Sequence, residues 1–363
     1  MANLMNRRLY GYFDSNGIEQ IGMQWHITSE CDQRCKHCYV FGSDDYLEQR
    51  KNRLSREESF LLVDEFYKLL RGYGTKGGIF LSGGDPILSP DFWDILNYID
   101  KYKDTISIGI LGNPFHINAE VSKCLKNHGV STYQISLDGL EETHDNIRKK
   151  GSFRDSLRAL ECLHNEGILT HTMLTINSCN YKDALPLLKF LNTLDFVDAF
   201  CFDRMIPIGS AIDNDDVRPI DKKTYRKLMY DIYKYEAINQ PRICVAKKDN
   251  LWKLFLSENG LINPIKHTES TVCTGCLAAV QAFSILEDGS VYACRRLNIK
   301  SGKFPENSLI DIYFNSSLHK NIRDIERYEK CIDCNLLKYC RGCLAMKYAV
   351  NESIFSPDPT CWR

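Results

Sequence analysis

Sixteen cysteines fall in this 363-residue chain, and eleven of them sit in two clusters. Three stand at Cys31, Cys35 and Cys38, spaced C-x3-C-x2-C. Eight lie toward the other end, at Cys273, Cys276, Cys294, Cys331, Cys334, Cys340, Cys343 and Cys361. No apolar run follows the charges at Arg7-Arg8, so no signal peptide is expected. No stretch approaches the roughly 18 apolar residues of a membrane span. The expected compartment is the cytoplasm, where disulfides are rare and clustered cysteines point to metal.

Three thiolates on one compact loop suit three irons of a 4Fe–4S cube and leave the fourth open to a small molecule. A zinc knuckle completed by His37 is the alternative, although zinc spacings usually pair two short Cys-x-x-Cys-like units. Eight thiolates suffice for two fully ligated 4Fe–4S clusters, or for two four-thiolate zinc sites. The scattered Cys124, Cys162, Cys179, Cys201 and Cys244 read as structural, since free cysteine is commonly a small buried hydrophobe. Among them, Cys179 follows a strand and has a second reading as a residue facing the site.

Charge excludes some partners. The net charge is −1 with 26% charged residues, which gives no electrostatic reason to expect nucleic acid or an acidic membrane. Short apolar or β-branched runs at 23–28, 78–82, 105–111, 132–137, 170–176 and 199–204 predict strands. Helical patterns follow at 55–72, 90–102, 118–128, 152–166, 181–194 and 222–238. Ser55 with Glu58, and Ser152 with Asp155, read as capping boxes; Gly129 and Gly167 stand where helix-ending glycines belong. Six βα units predict a parallel sheet, either a barrel or an open doubly wound sheet. The expected division is an N-terminal extension at 1–20, a βα domain at 21–238, a connector at 239–272 with a short helix near 246–258, and a cysteine-rich domain at 273–363. In that last domain, helical period is expected only at 335–350.

Cys31-x3-Cys35-x2-Cys38 followed by Tyr39 resembles the radical S-adenosylmethionine (SAM) superfamily. Gly83-Gly84-Asp85-Pro86 is similar to that family's Gly-Gly-Glu-Pro segment, with Asp85 one methylene shorter. A lone segment of this kind is also a plain turn signal; its place after the second strand raises it. Ser136-Leu137-Asp138-Gly139 resembles a SAM-holding segment, and Arg148 is a candidate carboxylate partner. The resemblance covers about residues 21–210 and implies a partial (β/α)6 TIM-type barrel. It also implies a 4Fe–4S cluster on Cys31, Cys35 and Cys38, with SAM contacts at Tyr39, Gly83, Gly84, Asp85, Ser136, Asp138 and Arg148. The C-terminal cysteines resemble the SPASM domain, which holds two auxiliary clusters. That resemblance assigns Cys273, Cys276, Cys294 and Cys343 to one, and Cys331, Cys334, Cys340 and Cys361 to the other.

The resemblance implies three 4Fe–4S clusters, SAM, and a peptide maturase that abstracts hydrogen and closes an oxidative thioether or carbon–carbon cross-link. Its partners would be a precursor peptide or protein and an electron donor such as flavodoxin or ferredoxin, with no nucleic acid or membrane. About 20 residues precede the first strand, too few for a separate leader-binding domain. Leader recognition is then expected on the barrel, on the connector or on another protein, or not at all. The alternatives are an anaerobic sulfatase-type maturase, an alcohol dehydrogenase and a non-enzymatic iron–sulfur electron carrier. Sulfatase-type enzymes typically carry Asp after the cysteine matching Cys294; here Arg295 stands there, which weighs against that reading.

Overall fold

The computed structural model describes residues 20–41, 50–212, 214–262 and 274–363. The extension at 1–19 and Cys273 lie outside the described residues. Six strands alternate with helices: β1 (Gln20–Thr28), β2 (Lys76–Gly83), β3 (Ile106–Leu111), β4 (Val130–Ser136), β5 (Leu169–Ile176) and β6 (Ala199–Arg204). Between and after them come α1 (Arg56–Tyr73), α2 (Phe92–Ile99), α3 (Ala119–Asn127), α4 (Glu141–Ile147), α5 (Ser152–Asn165), α6 (Ala184–Leu191) and α7 (Lys222–Asn239). A short β7 (Cys244–Ala246) and α8 (Leu251–Glu258) follow. The C-terminal part supplies β8 (Ala282–Ile285), β9 (Ser290–Tyr292), β10 (Lys300–Lys303), α9 (Leu309–Asn315), α10 (Ser317–Arg323) and α11 (Leu344–Asn351).

All ten strands form one sheet in the order β10-β9-β8-β1-β2-β3-β4-β5-β6-β7. From β1 to β7 the order is sequential and every pairing parallel. A doubly wound sheet reverses direction at a switch point, and this one does not. All crossovers therefore wind one way and place the helices on one face, which is barrel architecture. The barrel is partial, because β8 pairs parallel with the outer edge of β1 and brings the β9–β10 hairpin with it.

Pleating sorts the strand residues. Ile21, Met23, Trp25 and Ile27 of β1 point to the helices and join Leu62, Val63, Phe66 and Leu70 of α1 in the core. Ser55 starts α1 with a full capping box: its Oγ accepts from Glu58 N at 3.2 Å, and its own N donates to Glu58 Oε2 at 2.8 Å. The opposite face lines the lumen, and Phe80 fills its floor. A Cβ on Gly22, Gly78 or Gly109 would lie 3.5, 3.1 or 2.7 Å from the Phe80 ring, so glycine at the last two makes room for it. Above this floor the lumen is polar, which leaves the strand ends free for chemistry.

Some expectations need correction. Gly151, not Ser152, caps α5, and its N donates to Asp145 Oδ2. Ser152 is the first helical residue, so it cannot serve as cap. Residues 309–323 hold two helices where none was expected; each is seven residues long, capped by Ser308 or Ser316, and too short to show a period. The helix expected at 335–350 begins only at Leu344. The stretch at 239–272 contributes β7 to the sheet through its pairing with β6.

Candidate active site

The loop after β1 carries Cys31, Cys35 and Cys38, and its shape is fixed by the loop after β2. Gly84 N donates to Thr28 O at 2.9 Å, and Asp85 N donates to Glu30 O at 2.7 Å. A Cβ on Gly83 would stand 1.9 Å from Thr28 O, and one on Gly84 2.0 Å from Glu30 O. Glycine is thus the only residue that allows these two backbones to touch. The C-terminal part holds the same loop from the other side: Ser29 N donates to Glu287 Oε2 at 3.1 Å. Beyond it, Ser210 N donates to Cys38 O at 2.9 Å.

Side-chain donors reach two of the three thiols. Asn113 Nδ2 lies 3.1 Å from Cys31 Sγ and 2.8 Å from Asp32 Oδ1. Arg148 Nη1 lies 3.5 Å from Cys35 Sγ. Burial pushes the Cys35 thiol up to about 12, with Arg148 opposing, and it also raises Cys31. These thiols stay protonated at neutral pH unless a metal displaces the proton, as cluster ligands require.

Asp85 is fully buried. Its Oδ1 accepts from Asn113 N at 3.3 Å, while Oδ2 is buried with no hydrogen-bond partner. Burial pushes its pKa up to about 7. An orphaned carboxylate oxygen beside the cysteine loop fits an ammonium group arriving from outside the protein. Asp138 is the contrasting case. Its Oδ2 accepts from Arg148 Nε at 2.5 Å and its Oδ1 from Thr175 N at 3.0 Å. Burial alone would raise its pKa, but the Arg148 guanidinium, the His37 and His144 rings and the Thr175 N–H together outweigh that and hold it below the usual carboxylate range. His37 Nε2 lies 3.4 Å from the same carboxylate, and burial keeps that ring neutral. His144, pushed down to about 4 by burial, accepts from Asp138 N at 3.0 Å. Ser136 is half-buried at the end of β4, in register with Met173. The Tyr39 ring faces His26 at 6.1 Å. Sequence reasoning missed Asn113, Gln33 and His26; Asn113 could have been found in the Gly112-Asn113-Pro114 turn that ends the third strand.

Among the described residues the C-terminal thiols act on one another electrostatically: Cys294 on Cys276, and Cys276 on Cys343. Cys361 and Cys334 act likewise on Cys331, and Cys361 on Cys340. Burial pushes Cys340 and Cys343 up to about 12. Lys347 on α11 is fully buried, 4.7 Å above the Tyr328 ring, and its Nζ has no hydrogen-bond partner. Its charged neighbours include Cys331, Cys276 and Cys340, from both of these sets. Cys179 is exposed and touches the Asp216 carbonyl, outside this arrangement.

One ion network ties the two parts together. Arg204 at the end of β6 grips Asp249 with Nε and Nη2 at 2.6 and 3.2 Å. It grips Asp358 with Nη1 and Nη2 at 2.8 and 3.1 Å. All three are buried. Asp358 also accepts from Cys343 N at 2.8 Å, so the network fixes a cysteine loop.

A sequence profile described as the radical SAM superfamily matches residues 25–191, and one described as an iron–sulfur cluster-binding (SPASM) domain matches 276–335. The chain belongs to the radical SAM superfamily. It is a radical SAM enzyme with a SPASM domain, so a 4Fe–4S cluster and SAM are its cofactors, and the SPASM domain is built for further clusters. An AdoMet-dependent heme synthase of Methanosarcina barkeri is 24% identical over 93% of this chain and 95% of that protein. The mycofactocin maturase MftC of Mycolicibacterium smegmatis is 26% identical over 98% of this chain and 86% of its own length. The structure of Streptococcus suis SuiB bound to precursor peptide SuiA shares the fold with a TM-score of 0.73. There the identity is 17%, over 99% of this chain and 79% of that one. Among the described residues no helix is long and apolar enough to cross a membrane.

Removing Arg204 strands two buried carboxylates. Arg204→Met is expected to cost about 3–5 kcal/mol, read as a lower melting temperature of anaerobically prepared protein. Arg204→Lys will not restore it, because an ammonium cannot form two forked pairs.

Proposed function

We propose that this enzyme removes a hydrogen atom from a ribosomally made peptide and closes an oxidative cross-link, a thioether or a carbon–carbon bond. In this reading Cys31, Cys35 and Cys38 hold the SAM-binding cluster. Cys273, Cys276, Cys294 and Cys343 hold one auxiliary cluster, and Cys331, Cys334, Cys340 and Cys361 hold the other. Gly83, Gly84, Asp85, Tyr39, Ser136, Asp138 and Arg148 form the SAM site, with the free oxygen of Asp85 on the amino group. Iron–sulfur fits better than zinc. Among the described residues no three cysteine sulfurs lie within 4.8 Å of one another. A tetrahedral zinc holds its sulfurs about 3.8 Å apart, whereas a cube of four irons spaces them wider.

When bound, the reduced cluster and SAM supply the 5′-deoxyadenosyl radical. For a thioether, a C–H and an S–H bond break and a C–S bond forms. One hydrogen would leave on 5′-deoxyadenosine and the other as a proton, and an auxiliary cluster held by the C-terminal cysteines would supply the acceptor for the remaining electron. Oxidising a hydroxyl to an aldehyde would instead call for a free base near the substrate. The observation that carries the cross-link reading is that, with Asp85 assigned to the SAM amino group, the strand-end carboxylates Asp138 and Asp203 are both engaged. Asp138 pairs with Arg148, and Arg296 holds Asp203 at 2.8 Å. Arg295 stands where a sulfatase-type enzyme would place its acid. The peptide substrate draws support from the likeness to MftC, a maturase by name. A second reading, a haem precursor as substrate, is favoured by the heme synthase matched over 95% of its length.

Anaerobic co-expression with a short peptide encoded beside the gene should lower the peptide's mass by two hydrogens and block alkylation of a cysteine. An unchanged peptide, with 5′-deoxyadenosine still forming, would reject the peptide reading and send the search to haem precursors. Asp85 must ionise to hold an ammonium, and its pKa in the SAM-free protein is about 7. Below that pH, binding must expel a proton, so SAM affinity should fall about tenfold per pH unit and level off above it. Anaerobic calorimetry across pH tests this, and Asp85→Asn should flatten the profile. Lys347→Met deletes a buried positive charge between the auxiliary thiols. By EPR-monitored titration it should lower an auxiliary cluster's potential by roughly 50–150 mV.

A further inference from the structure

Two arginines in succession point opposite ways. Arg295 and Arg296 follow Cys294 on the turn after β9. Arg296 holds Asp203 on β6, and its charged neighbours include Cys343 and Cys294. It therefore serves both the barrel carboxylate and the auxiliary thiols. Arg295 turns the other way. Its guanidinium lies 5.8 Å from the Tyr39 ring, next to the Cys38 loop. It also lies close enough to His26 to help burial lower that ring's pKa.

Arg295 is 7% exposed, and its Nε is buried with no hydrogen-bond partner. No carboxylate among the described residues pairs with it. Three other deeply placed arginines have carboxylate partners: Arg148 has Asp138, Arg296 has Asp203, and Arg204 has Asp249 and Asp358. A buried, unpaired charge is costly, by several kcal/mol in a typical interior. A guanidinium kept in that condition suits a counter-charge that arrives with a ligand. Lys248 adds to the positive field, with its Nζ 3.9 Å from Met173 Sδ on the lumen side of β5. Arg295 thus reaches from the auxiliary thiol Cys294 toward the Cys38–Tyr39 segment. In the peptide reading the substrate meets the radical on one side and releases an electron on the other, so a group between the two cysteine sites lies on its path.

We infer that Arg295 is the receptor for a carboxylate carried by the substrate peptide, either an Asp or Glu side chain or the chain's terminal carboxylate. This rests on the peptide reading above and narrows it to acidic peptides that present the acid beside the reacting carbon. Arginine suits the task because its planar fork binds both carboxylate oxygens at once.

The test uses full-length, cluster-loaded enzyme with SAM, handled anaerobically, and two small probes. N-acetylaspartate amide offers a side-chain carboxylate, and N-acetylglycine a terminal one. One of them should bind saturably, read by thermal shift, and whichever binds names the source. Arg295→Gln should weaken that binding about ten- to hundredfold, while Arg295→Lys, which keeps the charge, should retain part of it. The proposal is overturned if neither probe binds, if the glutamine variant binds both equally well, or if that variant loses SAM affinity instead. The peptide mass measurement stands apart from these outcomes. Probe binding that depends on Arg295, together with an unmodified peptide, would end the peptide reading and leave a carboxylate receptor for another acid.

Discussion

Arg204 closes the molecule. A parallel barrel ends each strand at its open mouth, and something must hold the second domain against that mouth at a fixed height. Here one guanidinium does so with a forked pair on each side, to Asp249 near the barrel's last strand and to Asp358 in the C-terminal part. The three groups carry one positive and two negative charges in a buried place. Tyr225 and backbone donors at Leu251, Cys343 and Thr360 share the excess charge. The pairing is thus satisfied only when barrel, α7 and cysteine loops are all in place.

The same logic governs the cysteine loop after β1. It has little regular structure of its own, yet every side of it meets backbone from elsewhere. Gly83 and Gly84 approach from β2, Gly209 and Ser210 from the loop after β6, and Glu287 from the β8–β9 turn. The loop is therefore positioned by the sheet, not by its own propensity. The parallel pairing of β8 with β1 is what delivers Glu287 and the Arg295-Arg296 pair to the mouth. Domain contact and site construction are one event.

Much of the barrel was readable because buried parallel strands are written as apolar runs between turn residues. All six strands appear within a few residues of where the runs place them. The strands β7 to β10 were not readable: each has three or four residues, and β10 is Lys-Ser-Gly-Lys. Pairing, not composition, makes them strands. The site divides in the same way. Cysteine spacing is local information and survives in the sequence. Asn113 reaches Cys31 across 82 residues, and Arg148 reaches Cys35 across 113, so neither contact leaves a local trace. Arg295 was visible only as the absence of an expected acid. That no carboxylate among the described residues pairs with it is a property of three dimensions.

The raised thiols bear on the life of the protein before it is complete. A thiol attacks oxygen species, disulfides and stray metals mainly as thiolate. Burial favours the protonated, sluggish form of Cys35, Cys340 and Cys343 wherever no metal is bound to them. Metal must displace those protons to bind, so protons compete with it for the same sulfurs and the hold on the clusters should weaken as pH falls. Desolvation thus sets both the quiet of the free thiols and the acid sensitivity of the loaded ones.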